Sequence, residues 1–442
     1  MLSDAIRKWN PWWAEGEVEK ELLGVEREKL AKLKEHLDLK LIKDIIGVRR
    51  SGKTTLLYQL IQHLIFQDVN AKEILLLNFD DNEIYNADFD KLLLECRRIN
   101  PDISHIFLDE VQEKQNWERW VRSLYDTRQF KRVFVSGSSS SLLKRDVGRV
   151  LSGRHTTFVM FPFSFLEYLR FYDWRNFEAD YLEHNRGKVF HFLERYLAEG
   201  GFPETLGMGR MKRIKYLSDL FDDIVARDAT ARHKADYEIM KKIAYYVVSN
   251  SSKTMTHRSV ANVCGVSVDT VTKYLAYLEE CYLILPLRRF SPRLKEQMRE
   301  INKYYSIDTG LANAVGYRFR EEFGRAMENA VFIELNRKFA ENKEIKLFYW
   351  NGEGEVDFVI REGLRVRQLI QVCYNIEDQK TRKREVKPLL RSMNELGVRQ
   401  GLVITWDLNS EEKIDGKRIV YEPLWKWMIS RGVKTPQDAT EA

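Results

Sequence analysis

Three short strings in this sequence hold residue types and spacings that could handle a phosphorylated ligand. "IIGVRRSGKTTLL" places Gly47, Val48, Arg49, Arg50, Ser51, Gly52, Lys53, Thr54 and Thr55 between an apolar run and an apolar helix. Glycines at both ends let the backbone wrap tightly, so its N–H groups converge on an anion at the positive end of the following helix. Lys53 is then placed to reach the β and γ oxygens of a nucleotide, and the Thr54 hydroxyl to hold Mg²⁺. "HIFLDEVQ" sets Asp109 and Glu110 at the C-terminal end of another apolar run, where open α/β sheets bind ligands. Asp109 is read as the Mg²⁺ partner, through water, and Glu110 as the group that polarises the attacking water. "RVFVSGSSSSLL" ends in hydroxyls at Ser136, Ser138 and Ser139, of which Ser138 is taken to orient that water.

These groups meet only if strands bring them to one edge. Between 41 and 160 the runs "LIKDIIG", "EILLLNF", "HIFLDE" and "RVFVSG" alternate with helical segments. Continuous rather than alternating apolar strands predict a parallel sheet covered on both faces. Residues 1–40 read as a charged helical arm, whose Trp9, Trp12 and Trp13 are expected to pack on that core. Residues 161–235 read as aromatic helix, 236–300 as small helices with a hairpin, and 301–442 as a further α/β domain.

The stretch "THRSVANVCGVSVDTVTKYLAYLEECYLILPLRRFS" reads as a winged helix. Val263, Val266, Val271, Tyr274 and Leu278 are assigned to its core, and Ser267 or Asp269 to the cap of its second helix. Thr270, Thr272 and Lys273 are expected on the outward side of that helix, and Arg288, Arg289 and Arg293 on the hairpin. In a DNA-reading module the helix enters the major groove and the basic wing meets phosphates. The same fold also serves as a packing module between domains.

Further along, "GRAMENAVFIELNRKF" is an amphipathic helix carrying Glu328, and "EGEVDFVIREGLRVRQLIQVCYNI" holds two strands. Glu355 and Asp357 share one face of the first, and Gln371 and Cys373 one face of the second. Glu328, Asp357 and the Gln371 carbonyl are candidates for a residual metal site. Cys373 supplies no fixed positive charge at neutral pH, since a free thiol titrates near ~8.5. Lys380 and Lys383, at the start of the next helix, are the lysines placed to reach that face.

Composition narrows the classes. The 442 residues are 44% hydrophobic and 12% aromatic, which excludes a disordered chain. A net charge of +6 permits nucleic-acid contact without requiring it. Cys96, Cys264, Cys281 and Cys373 lie too far apart for a CxxC pair, so reduced thiols and no zinc site are expected. "MLSDAIRKWNPWW" lacks the pattern of a secretory signal, and no apolar run approaches the ~20 residues of a membrane span. A cytoplasmic protein without membrane contact is expected.

The strings "GVRRSGKTTLL", "IFLDEVQ" and "VFVSGSSSSLL", with "LSGRHTTFVMFPFSFLEYL" and "YLAEGGFPE" after them, resemble prokaryotic, archaeal-type AAA+ ATPases of the P-loop superfamily. The resemblance implies an α/β fold, a P-loop NTPase (AAA+/ASCE) parallel sheet, followed by a helical winged-helix domain and a restriction-endonuclease-like α/β domain. Its cofactors would be ATP and Mg²⁺. Arg154, in "SGRH", matches the arginine expected to stabilise transition-state charge, in cis or in trans. The order Glu328, Asp357, then a polar pair one residue apart resembles the nuclease motif, with Gln371 and Cys373 standing where that motif has Glu and Lys. What is implied is an ATP-hydrolysing homo-oligomer acting on duplex or branched DNA through a degenerate nuclease-like domain. Competing readings are an ATP-dependent, metal-requiring nuclease and an ATP-driven switch that binds a protein partner.

Overall fold

The apolar runs of the first 160 residues form strands whose side chains are almost all buried. The computed structural model describes residues 1–137, 150–291, 301–316 and 323–430, in two compact units. One comprises Met1–Phe161 with Glu280–Tyr282, the other Pro162–Glu279 with Leu283 onward.

In the first unit, β1 (Ile42–Gly47), β2 (Ile74–Asn78), β3 (His105–Asp109), β4 (Arg132–Gly137) and β5 (His155–Met160) form a sheet in the order β2-β3-β4-β1-β5. All neighbours are parallel. The order puts β4 between the strand that enters the phosphate loop and the strand that ends in Asp109. β5 is not one of the apolar runs, because it begins with His155, Thr156 and Thr157 and turns apolar only at Phe158.

The open edge at β2 is closed by the N-terminal arm. Asn10 donates to the Leu76 carbonyl at 2.9 Å and accepts from the Leu76 N–H at 2.7 Å, so its amide imitates a paired strand residue. Trp12 and Trp13 both donate to the Ile74 carbonyl, at 3.0 and 2.7 Å, and Trp9 to Asp81 at 3.0 Å. The tryptophans pack on the core, as expected from the sequence.

The second unit starts with helices Phe165–Phe171, Ala179–His184, Arg186–Glu199, Arg210–Asp223 and Tyr237–Ser249. A sheet of nine strands follows, in the order β13-β14-β12-β11-β10-β9-β7-β8-β6. Its members are β6 (Lys253–Thr256), β7 (Ile284–Arg289), β8 (Ile301–Ser306), β9 (Ile345–Gly352), β10 (Gly354–Glu362), β11 (Arg365–Cys373), β12 (Gln400–Thr405), β13 (Ser410–Ile414) and β14 (Lys417–Pro423). The sheet runs across the boundary expected at 300. β8 begins at Ile301 yet pairs antiparallel with β6 and β7, and β7 pairs parallel with β9 through Arg288 and Arg289. The helix–turn–helix segment and the C-terminal α/β segment therefore share one sheet.

The "EGGFPE" string has a packing reason. Gly200 sits at a φ of +80°, and a Cβ there would stand 2.1 Å from an Asp308 oxygen. Asp308 is buried, accepts from the Gly201 and Leu311 N–H groups at 2.7 and 2.8 Å, and so ties the end of the helix Arg186–Glu199 to the start of the helix Thr309–Val315.

Candidate functional site

The loop after β1 is closed by geometry that only glycine permits at its first position. Gly47 has a φ of +149°, and a Cβ there would meet the Met160 carbonyl oxygen of β5 at 2.1 Å. Val48 and Ser51 are buried, Arg49 is half-buried, and Arg50 is exposed at a φ of +66°. Lys53 opens the helix Lys53–Phe66 and is 4% exposed. Its Nζ donates to the Gly47 and Val48 carbonyls at 3.3 and 3.1 Å, and lies 3.8 Å from a Glu110 oxygen. The Ser51 hydroxyl is buried and has no hydrogen-bond partner. A buried ammonium resting on loop carbonyls beside Glu110, next to an orphaned hydroxyl, fits a polyphosphate whose oxygens would accept from both.

Asp109 ends β3 with no exposed surface. It accepts from Thr54 Oγ1 at 2.7 Å, from Asn78 Nδ2 at 3.1 Å and from the Ser136 hydroxyl. Burial and the Glu110 charge push its carboxyl up to about 6, against the hydrogen bonds from Ser136 and Thr54. Glu110 adopts a φ of +50°, and its N–H donates to the Ser136 hydroxyl at 3.3 Å. Lys53, Thr54, Asp109 and Glu110 thus converge as the sequence predicts. Ser138 lies outside the described residues, and the β4 hydroxyl that reaches the acids is Ser136.

Two residues of this site went unread in the sequence. Asn78 is the polar end of "ILLLN" and stands in register with Asp109, a signal that was present. Arg27 offered none, since it lies in a charged stretch upstream. It is 2% exposed, and its guanidinium donates to the Ser51 carbonyl at 2.5 Å and the Phe161 carbonyl at 2.8 Å, tying the loop to the chain after β5.

Arg154 stands apart from this cluster. It precedes His155, which pairs with Ile42 at the opposite end of the strands from Gly47 and Met160. Six residues of extended chain put it about 20 Å from its own phosphate loop. There it pairs with Asp126 at 2.7 Å. The cis alternative does not fit this placement.

A family profile described as an AAA domain matches residues 40–169, and two domains of unknown function, DUF8612 and DUF4143, match 191–322 and 323–425. An uncharacterized protein of Methanocaldococcus jannaschii is 32% identical over 406 residues, 88% of each chain. The chain belongs to the AAA-type P-loop ATPases. An uncharacterized protein of Haemophilus influenzae is 28% identical to this AAA-type chain, over 90% of it and 96% of the relative. The solved Aeropyrum pernix ORC1 protein in complex with DNA aligns at a TM-score of 0.33 and 10% identity, over 69% of this chain and 95% of that one. That overlap is too slight to bear on what this AAA-type ATPase binds.

The second unit of this ATPase holds another polar cluster. Glu328, on the helix Phe323–Phe339, and Glu355 and Asp357, on β10, all meet the ammonium of Lys303 from β8, at 2.8, 2.5 and 3.1 Å. The β10 register against β9 shifts between Val356 and Val359, the span that holds Asp357 and Phe358. Tyr305, two residues from Lys303 on the same strand face, donates to Glu328 at 2.7 Å. The Val372 N–H donates to the second Asp357 oxygen at 2.9 Å. The three carboxylates, Gln371 and Val372 line a cavity of about 610 Å³ together with Arg325, Arg384 and Glu385. Burial and Asp357 push Glu328 up to about 7, against Lys303 and Tyr305.

The structure places two of these candidates differently from the sequence expectation. The lysine at this site is neither Lys380 nor Lys383, which are both exposed on the helix Gln379–Glu395, but Lys303. Gln371 does not turn its carbonyl outward as a ligand, because Oε1 accepts from the Asp357 N–H at 3.3 Å while its amide donates to Glu385 at 2.7 Å. Among the described residues, no group of three or more His, Cys, Asp or Glu is arranged to hold a metal. Cys373 stays a neutral thiol, pushed up to about 12 by burial.

In the helix–turn–helix segment, Ser267 caps Val268–Glu280 by accepting from the Thr270 N–H at 3.0 Å. Lys273 and Arg288 are exposed, as expected. Thr272 is not presented outward, since its hydroxyl donates to the Val268 carbonyl and bonds to His257. Arg289 is half-buried and donates to the Asn351 carbonyl, and Arg293 lies outside the described residues. Val263 is 55% exposed rather than in the core, which is built from Val260, Cys264, Val271, Leu275 and Leu278. No described helix is long and apolar enough to cross a membrane.

Proposed function

We propose that this AAA-type ATPase binds ATP with Mg²⁺ at the Gly47–Thr55 loop, hydrolyses it, and acts on DNA through its second unit. One observation carries the ATP reading: Thr54, Asp109, Ser136 and Glu110 form a connected hydrogen-bonded set within reach of Lys53. Lys53 would leave the loop carbonyls for phosphate oxygens, and Thr54 with Asp109 would hold the cation. Mg²⁺, when bound, supplies charge neutralisation at the transferring phosphoryl group. Glu110, fixed by its backbone bond to Ser136, would accept the proton of the attacking water. Lys53→Ala should reduce ATP turnover to background; hydrolysis at the wild-type rate would refute the reading.

The DNA reading is supported by exposed cations. Lys273 and Arg288 lie on the helix and strand read as a winged helix. On the helix Gln379–Glu395, Lys380, Lys383, Arg384 and Lys387 are exposed at spacings that share one helix face beside the 610 Å³ cavity. DNA affinity that falls steeply with salt would support it. ATP turnover indifferent to single-stranded, duplex and branched DNA, with no binding at low salt, would remove it.

A second reading, an ATP-dependent nuclease, is favoured by the convergence of the Glu328, Glu355 and Asp357 carboxylates. Cleavage of labelled duplex or branched DNA with Mg²⁺ or Mn²⁺, lost in Asp357→Ala, would establish it. No cutting under either metal would end it.

A further inference from the structure

We infer that Lys303 is the resident cation of the second unit's acidic cluster, occupying the place between Glu328 and Asp357 where a nuclease would seat a divalent metal. The inference goes beyond the proposed function, and it stands or falls without the ATP site.

The valence is matched on both sides. An ammonium has three donors and no acceptor. Three carboxylates meet Lys303 Nζ, from Glu328 at 2.8 Å, Glu355 at 2.5 Å and Asp357 at 3.1 Å. A divalent metal at this point would draw on the same oxygens, at the ~2.0–2.1 Å that Mg²⁺ requires. Their other contacts hold them in place for nitrogen. The Glu328 oxygen facing Lys303 also accepts from Tyr305, and the outer Asp357 oxygen accepts from the Val372 N–H. The Tyr349 ring lies 5.8 Å from the ammonium and favours a monovalent organic cation there.

The delivery route is equally specific. Lys303 is 2% exposed, and β8 is fixed on both sides, with Lys303 paired to Thr254 of β6 and Leu287 of β7. A lysine from a strand outside the two-strand motif is carried into it by the sheet that both segments share. Gln371, bonded to Asp357 and Glu385, offers a metal no competing ligand.

The test is Mn²⁺ uptake by the nucleotide-free full chain, read from loss of the free-ion paramagnetic signal. Wild type and Asp357→Asn should take up the same amount. Lys303→Ala should gain one site at least tenfold tighter than any in wild type, and Lys303→Ala with Asp357→Asn should lose it. Wild-type uptake that Asp357→Asn abolishes would overturn the inference. So would a folded Lys303→Ala that binds no more Mn²⁺ than wild type. If Lys303→Ala does not fold, the comparison of wild type with Asp357→Asn still decides it.

Discussion

Asp109 has no surface in contact with solvent and faces Glu110, which is why its carboxyl is pushed up to about 6 rather than titrating in the usual range. A carboxyl whose folded value is raised contributes stability that is complete below its ordinary value of 3.8 and lost as the pH rises through about 6. A divalent cation prefers the ionised form, so its demand runs the other way. Affinity for Mg²⁺–nucleotide should therefore fall as pH drops below about 6, approaching tenfold per unit, while Asp109→Asn should flatten that slope. Titration of a fluorescent nucleotide between pH 5 and 8 reads both, and a wild-type slope equal to that of the variant would dismiss Asp109 as the titrating group. At the same scale, "GKT" and "LDE" disclosed Lys53, Thr54, Asp109 and Glu110 because backbone-adjacent chemistry is local. Of the hydroxyls read at the end of "RVFVSGSSSSLL", Ser136 reaches the acids, while Ser138 lies outside the described residues.

Elements explain what holds these residues still. β2 is an edge strand, and the N-terminal arm closes it with the Asn10 amide and two indole N–H groups. Asn10→Ala should cost about 2–4 kcal/mol, because it removes bonds to both backbone groups of buried Leu76 and leaves them unpaired. Denaturant midpoints at unchanged m-value would show it. The helix Gln379–Glu395 packs through Val386, Leu389 and Met393 and turns a charged face to solvent. Replacing Lys380, Lys383 and Lys387 by Glu should weaken DNA binding across sequences and shrink the salt slope by roughly three contacts at ~0.9 each. An unchanged slope would assign DNA contact elsewhere. Helix and strand identities were legible from apolar runs, whereas β5, β13 and β14 were not, because their residues are largely polar or half-exposed.

At the scale of the molecule, each unit brings together residues far apart in sequence. In the first, the sheet order sends Arg154 to the end of the strands opposite its own phosphate loop. Its charge could assist hydrolysis only at a neighbouring copy's site. Arg154→Ala should then bind nucleotide normally yet turn over at least tenfold more slowly, and mixing it with inactive Lys53→Ala should recover part of the rate. No recovery, with both variants assembled, would assign Arg154 to its Asp126 pair alone. In the second unit, a nine-stranded sheet joins β8 to the strands carrying Asp357 and Gln371. Breaking such a buried ion cluster by removing one partner costs about 3–5 kcal/mol, since the charges left behind are uncompensated.

What the sequence determined by itself is the phosphate-loop string, the acidic pair and the parallel sheet that positions them. All three are written in contiguous strings whose spacing is dictated by a turn, a strand and a helix. Only the tertiary structure decided which lysine meets Glu328 and Asp357. Lys380 and Lys383 are nearer along the chain, but the helix face they occupy turns to solvent. Lys303 is more than fifty residues from Asp357, yet strand pairing through β7 and β9 brings it within 3.1 Å. Hydrogen bonding across a sheet is indifferent to chain distance, and so a one-dimensional pattern could show that a lysine had left the motif but not where its replacement would come from.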